Sequence, residues 1–419
     1  MTPVMDAAVG HDPHRVIVFD TTMRDGEQAP GFSMSPADKV RMGRALKDLG
    51  VDVMEAGFAA ASPGDEDCIR AVVGEIAEND SGPVFCSLSR SSEGDIDAAW
   101  RALRGTPRRR VHIFLGTSPI HRAAKLKMTT DQVMAAAIRS VEYARTRFDD
   151  VEFSAEDAIR TEPEFLAEVL EAVAKAGATT LNVPDTVGYA TPDEIEALYR
   201  FLIARIRPEF PDVVFSAHCH NDLGMAVANT LAAVSAGARQ VEASINGIGE
   251  RAGNASLEEV VMALRVRAET FGVTTGIDTT RLVSTSRLLS EITHSPIVRN
   301  KAIVGINAFA HEAGIHQHGM FADARTYEIM RPQDVGFEGS FFVLGKHSGR
   351  HAVAKRAEVL GHPLIGMHLT EAFAAFKARA DEIGEIDDAE LLAICVATRP
   401  REREHATACG FRRDERGMK

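Results

Sequence analysis

Base-stacking residues are scarce in this sequence, which has one Trp and four Tyr among 419 residues. Basic charge is outweighed too: 47 Lys and Arg stand against 60 Asp and Glu, for a formal net charge of −13. A nucleic-acid partner needs cations for its phosphates and aromatic platforms for its bases, so both shortages argue against one. Cysteine is sparse and patternless, five residues (68, 86, 219, 395, 409) with no C-x-x-C. That argues against a thiolate zinc site and a disulfide framework. No apolar run approaches the ~18 residues of a membrane span, so no membrane partner is expected. The start, MTPVMDAAVGHDPHR, has no charged stretch leading into an apolar block, so no secretory signal is expected and the cytoplasm is the expected compartment. A Gly-rich dinucleotide turn is missing as well, since TTMRDGEQ follows the first strand-like run. The expected partner is a small molecule.

The chain does have a rhythm. Short β-rich runs occur at 16–20, 51–58, 84–88, 111–116, 151–156, 180–185, 213–218 and 240–247. Amphipathic stretches such as SPADKVRMGRALKDLG and TPDEIEALYRFLIARI separate them, opening on Ser or Thr, then Pro and acids, and several closing on Gly. Eight strands each followed by a helix over roughly 270 residues match a (β/α)8 barrel; a doubly wound sheet is the rival for any such alternation. The expected organisation is α/β: a flexible tail at 1–14, a TIM barrel at 15–280 and helical C-terminal subdomains at 281–398. The last stretch, 399–419, is polar and lacks apolar periodicity, so disorder is expected there.

In such a barrel, chemistry gathers where strands end. Arg24, Asp25 and Glu27 follow the first run; Glu156 and Asp157 end the fifth; Asp185 and Thr186 end the sixth; His218, His220 and Asn221 end the seventh; Glu242 and Asn246 lie on or near the eighth. His218 and His220 are two apart, so in extended backbone both face the same side. Two imidazoles and a first-strand carboxylate suit a divalent ion such as Mn²⁺, Zn²⁺, Fe²⁺ or Mg²⁺. A 2-oxo acid chelated there would have its keto carbon polarised, and Arg24 would stabilise the developing alkoxide. The glycines of NGIGERAGN (246–254) allow close backbone approach to a ligand, with Glu250 and Arg251 bracing the loop as an ion pair. HEAGIHQHG (311–319) adds three histidines, of which His316 would act as acid or base if the extension covers the barrel mouth.

These segments resemble the 2-isopropylmalate synthase/homocitrate synthase family. DTTMRDGEQAPGFSMSPADK resembles its first signature, NGIGERAGNASLEE its second and HCHNDLGMAVANTLAAVSAGARQVE its metal-histidine segment. The similarity runs from about residue 16 to residue 360 and includes KAIVGINAFAHEAGIHQHGM. It implies a metal-dependent barrel that condenses acetyl-CoA with a 2-oxo acid. Asp25, His218, His220 and Asn254 would hold the metal (Mn²⁺, Zn²⁺ or Mg²⁺). Arg24 would steady the keto oxygen and Thr186 the acceptor carboxylate. Glu156, His316 and Tyr327 would manage protons around acetyl-CoA. Glu152, Ser154 and His112 are expected in the acceptor pocket, with Glu152 standing where homocitrate synthases place an Arg and so repelling a second carboxylate. The stretches GTSPIHRAAKLKMT and VEFSAEDAIRT are closer to the isopropylmalate branch, which makes 2-oxoisovalerate the expected acceptor. A homocitrate synthase, or an alkylmalate- or citramalate-type synthase using another 2-oxo acid, is the alternative. A lyase relative would read R-D-G-L-Q with a reactive Cys loop, where this chain reads RDGEQ. The family implies a homodimer. The leucine-binding C-terminal domain of full-length family members has no counterpart in these residues, so insensitivity to leucine is expected.

Overall fold

Local chemistry starts or stops most of the barrel helices. Ser35, Ser62, Ser92 and Thr129 accept hydrogen bonds from the N–H groups of Asp38, Asp65, Asp95 and Gln132, satisfying donors that a helix start leaves open. Pro36, Pro63, Pro163 and Pro192 take the first helical position, where a missing N–H costs nothing. Gly50, Gly177 and Gly237 close helices in the left-handed region, at φ of 89°, 111° and 117°.

The computed structural model describes residues 12–78, 81–312, 320, 323–339 and 341–399. Eight parallel strands close into a barrel: β1 (Ile17–Asp20), β2 (Val53–Glu55), β3 (Val84–Arg90), β4 (Arg109–Gly116), β5 (Asp150–Glu156), β6 (Thr180–Asn182), β7 (Val214–His218) and β8 (Gln240–Ala243). The seam pairs β1 with β8, Ile17 opposite Gln240 and Asp20 opposite Ala243. Helices α1 (Pro36–Leu49), α2 (Pro63–Ile76), α3 (Glu93–Ala102), α4 (Thr130–Arg145), α5 (Pro163–Ala176), α6 (Pro192–Ile206), α7 (Ala226–Ala236) and α8 (Leu257–Val266) follow the strands in turn. This is the (β/α)8 architecture expected of the sequence. No helix among the described residues is long and apolar enough to cross a membrane.

The floor of the barrel carries buried charge beside an aliphatic cluster of Ile17, Val53, Val84 and Val214. Arg110 on β4 bonds Glu152 on β5 at 3.0 Å and Gln240 on β8 at 2.7 Å, and Gln240 donates to the other Glu152 oxygen at 2.8 Å. All three side chains are buried, so each is a partner the others cannot lose cheaply: breaking such a pair costs about 3–5 kcal/mol.

The chain divides into two units, 1–308 with 330–339, and 309–329 with 340–419. The first holds the barrel and also α9 (Ala268–Phe271) and α10 (Leu282–Thr293). In the second, β9 (Ala310–His311) pairs with β10 (Phe341–Phe342), and β11 (Leu344–Gly345) with β12 (Glu385–Ile386). Helices α11 (Arg350–Val359), α12 (Gly366–Ile383) and α13 (Asp388–Ala397) bury Val353, Phe376 and Leu391 in a core of their own. The expected tails at 1–14 and 399–419 fall almost wholly outside the described residues, apart from 12–14 and 399.

Candidate active site

After β1 the chain makes a tight π-type turn, Thr22–Gly26, that carries Arg24 and Asp25 to the barrel mouth. The turn is packed closely on the loop after β8: a Cβ on Gly26 would stand 2.7 Å from Ile248 Cδ1, which would have to shift. β7 delivers His218, and two residues on His220 forms a bridge with Asn254 from the loop after β8. Asp25 Oδ2 lies 3.4 Å from both His218 Nε2 and His220 Nε2, and the two imidazole nitrogens are 2.8 Å apart. Separations near 3 Å are what ligand bonds of ~2.1 Å at right angles produce. Asn254 Nδ2 donates to Ile248 O at 3.1 Å, while its buried Oδ1 has no hydrogen-bond partner. A buried carboxylate, two imidazole nitrogens and an orphaned amide oxygen fit an oxygen- and nitrogen-loving divalent cation.

The electrostatics favour positive charge at this point. Burial opposes a charged His218 ring, yet hydrogen bonds to Asp25 and Glu242 lift its pKa to about 9. Burial also opposes ionisation of Asp25, and the Arg24 guanidinium overrides it, holding the carboxyl well below its ordinary range. His220 is pushed down by burial and by the neighbouring charges of His218 and Arg251. A proton on His218 and a cation compete for the same acids, so metal binding would release a proton.

Beside the trio of Asp25, His218 and His220, a hydrogen-bonded chain crosses the barrel. Arg24 Nε donates to Glu55 Oε2 at 2.5 Å and Nη1 to Asp25 at 3.1 Å. Glu55, on β2, also meets His112 Nδ1 at 2.8 Å; His112 Nε2 lies 2.6 Å from Ser154 Oγ, to which Asn182 Nδ2 donates at 2.7 Å. The cavity above this chain measures about 340 Å³. Phe58, Leu88 and Phe114 give it an apolar wall, and Arg24, Asp25, His218, His220, Thr186 and Glu156 stand among its polar groups. Thr186 Oγ1 accepts from the Asp157 N–H at 2.9 Å, which leaves its own proton free to donate.

Most of the expected residues therefore converge: Arg24, Asp25, His112, Ser154, Glu156, Thr186, His218 and His220 line one cavity. Asn254 abuts it through His220. Glu152 does not line it; that carboxyl sits in the floor, on Arg110 and Gln240. The second buried trio, His112, Glu152 and Glu242, is committed to protein partners throughout. Arg251 pairs not with Glu250 but with Asp222, at 2.8 and 2.9 Å, because its left-handed backbone (φ 55°) turns it toward the β7 loop. Tyr327 lies in the second unit, its ring 6.5 Å from that of His311, and His316 lies outside the described residues. Sequence reading missed Glu55 and gave Glu242 no role. The available signal was an acid inside an otherwise apolar strand.

The geometry has close relatives. The HMGL-like family model matches residues 15–289, and the model described as homocitrate synthase post-HMGL domain-like matches 303–383. A 2-isopropylmalate synthase of Rhodopirellula baltica is 54% identical over 380 residues, covering 91% of this chain and 71% of that one. One from Chromobacterium violaceum is 55% identical over 381 residues, covering 91% and 73%. The chain belongs to the 2-isopropylmalate synthase family. In fold it is also similar to the HMG-CoA lyase of Brucella melitensis, with a TM-score of 0.57 at 22% identity over 67% of this chain and all of that one. The segments RDGEQ, HCHND and NGIGERAGN each supply residues to the cavity.

Proposed function

We propose that the chain condenses acetyl-CoA with a 2-oxo acid, and that the acceptor is 2-oxoisovalerate, giving 2-isopropylmalate and CoA. The observation that carries this reading is the pairing of a divalent-cation cradle with an apolar wall in one cavity. Asp25, His218, His220 and Asn254 would hold the ion. When bound, it supplies Lewis acidity to a chelated 2-oxo acid. Arg24, fixed by Glu55 and Asp25, presents its remaining N–H groups to the oxygen on which negative charge grows. Thr186 donates its hydroxyl proton to the acceptor carboxylate. Glu156, at the rim, takes the proton from the acetyl methyl, and the enolate carbon then attacks the keto carbon. Water cleaves the thioester and releases the CoA thiol.

Phe58, Leu88 and Phe114 favour a branched aliphatic tail over a second carboxylate, because the cations over those rings, Lys125 on Phe114 and Arg90 on Phe58, are already paired with Glu156 and Asp95. Selection against a second carboxylate falls to that wall rather than to Glu152, which sits in the floor. A thiol-release assay against a panel of 2-oxo acids tests it: 2-oxoisovalerate should give the highest kcat/KM, and His218→Ala should abolish turnover. A preference for 2-oxoglutarate would overturn the acceptor, and full activity of His218→Ala would overturn the mechanism.

A further inference from the structure

We propose that Lys125 is a positioning residue for Glu156, setting the plane of the carboxylate that receives the acetyl proton. Lys125 belongs to a second π-type turn, His121–Leu126, just beyond β4. Such i→i+5 turns are rare and concentrate at functional sites. The turn is drawn tightly onto its strand: a Cβ on Gly116, the last residue of β4, would stand 2.8 Å from His121 Cβ. It closes at Lys127 in the left-handed region, φ 55°, uncommon for a side chain of that size.

This geometry delivers the Lys125 ammonium to both oxygens of Glu156, at 2.7 and 2.8 Å. His121 supports the same carboxyl, its Nε2 3.6 Å from Oε1, while its Nδ1 stands 3.0 Å from Asp157 Oδ2. Lys125 is about half exposed, and ion pairs with that exposure add little to stability. Its consequence is geometric: one cation gripping both oxygens stops rotation of the carboxyl group about its terminal bond. The outward lone pairs then keep a fixed direction into the cavity that both residues line. A base that must accept a proton from carbon gains rate from that alignment.

The inference rests on Glu156 taking the acetyl proton, so the experiment includes Glu156→Gln beside Lys125→Met and Lys125→Arg. In the thiol-release assay Lys125→Met should lower kcat by ~10- to 100-fold with KM for the 2-oxo acid within twofold. The primary isotope effect with trideuteroacetyl-CoA should rise. Added ethylammonium should restore part of kcat, and Lys125→Arg, whose fork also spans two oxygens, should retain more activity than Lys125→Met. Unchanged kcat in Lys125→Met, or a loss that neither ethylammonium nor Arg relieves, would overturn the role of Lys125. Wild-type turnover in Glu156→Gln would instead remove Glu156 from the reaction, and the proposal with it.

Discussion

Glu242 lines the cavity and also stands directly behind the proposed metal cradle. Its Oε2 lies 3.0 Å from His218 Nδ1, so one imidazole proton is held there, and loss of the other would bare the Nε2 lone pair toward Asp25 and His220. Burial opposes ionisation of Glu242, but His112 and His218 hold its pKa below the ordinary range, while burial and the charge of Glu242 raise that of Glu152. The carboxyl held the more acidic of the two is therefore the one that touches His218, a proposed ligand. Carboxylates behind metal-bound imidazoles set tautomer and basicity, and losing one weakens metal affinity by ~10- to 100-fold. Glu242→Gln should show that loss for Mn²⁺ in titration calorimetry, with an unaltered far-ultraviolet circular dichroism spectrum. Unchanged affinity would mean that the ring is oriented by Asp25 alone.

At the scale of the element, the loop after β8 is the most constrained part of the site. Four of its nine residues take left-handed backbone: Asn246, Gly247, Arg251 and Gly253, with φ of 60°, 69°, 55° and 91°. A Cβ on Gly253 would lie 2.0 Å from Gly247 O, a backbone atom that cannot step aside without dragging Asn254 with it. Gly253→Ala should lower the melting temperature by several degrees, reflecting strain of about 1–3 kcal/mol, and weaken Mn²⁺ binding as well. Gly74→Ala, inside α2 with open space around it, should instead stabilise by about 0.5–1 kcal/mol. Equal effects in the two would sever loop geometry from the metal. The sequence announced this loop through its glycines, and the strand rhythm announced which residues share a rim. Period-two alternation tells which face of a strand a side chain takes, but not how deep it lies. Glu152, Ser154 and Glu156 all point into the barrel, yet the first joins the floor, the second the cavity wall and the third the rim. Glu55 escaped for the converse reason: a lone acid closing a three-residue strand looks like a strand edge until Arg24 and His112 arrive from elsewhere in the chain. Arg251 was sequence-adjacent to one acid and bonded another, which only the backbone angle at 251 decides.

At the scale of the molecule, the proposed ligands straddle the barrel's closing seam. Asp25 follows β1, His218 and His220 end β7, and Asn254 follows β8, so an ion would join the first strand to the last two. In the unfolded chain Asp25 is separated from the other three donors by nearly the whole barrel sequence, so the four hold no ion in common. Binding confined to the native state adds RT ln(1 + [M]/Kd), about 2.7 kcal/mol at a hundredfold excess over Kd. In a chain of this size that raises the melting temperature by several degrees. The two units need not melt together, and only the transition of the unit carrying the seam should respond. Calorimetry of the whole chain, stripped with a chelator and then titrated with Mn²⁺, should show one transition climbing with the logarithm of metal concentration. His218→Ala should flatten that climb while leaving any second transition in place. A midpoint indifferent to Mn²⁺ in the unmutated chain would mean the four donors do not act as one site, whatever their proximity.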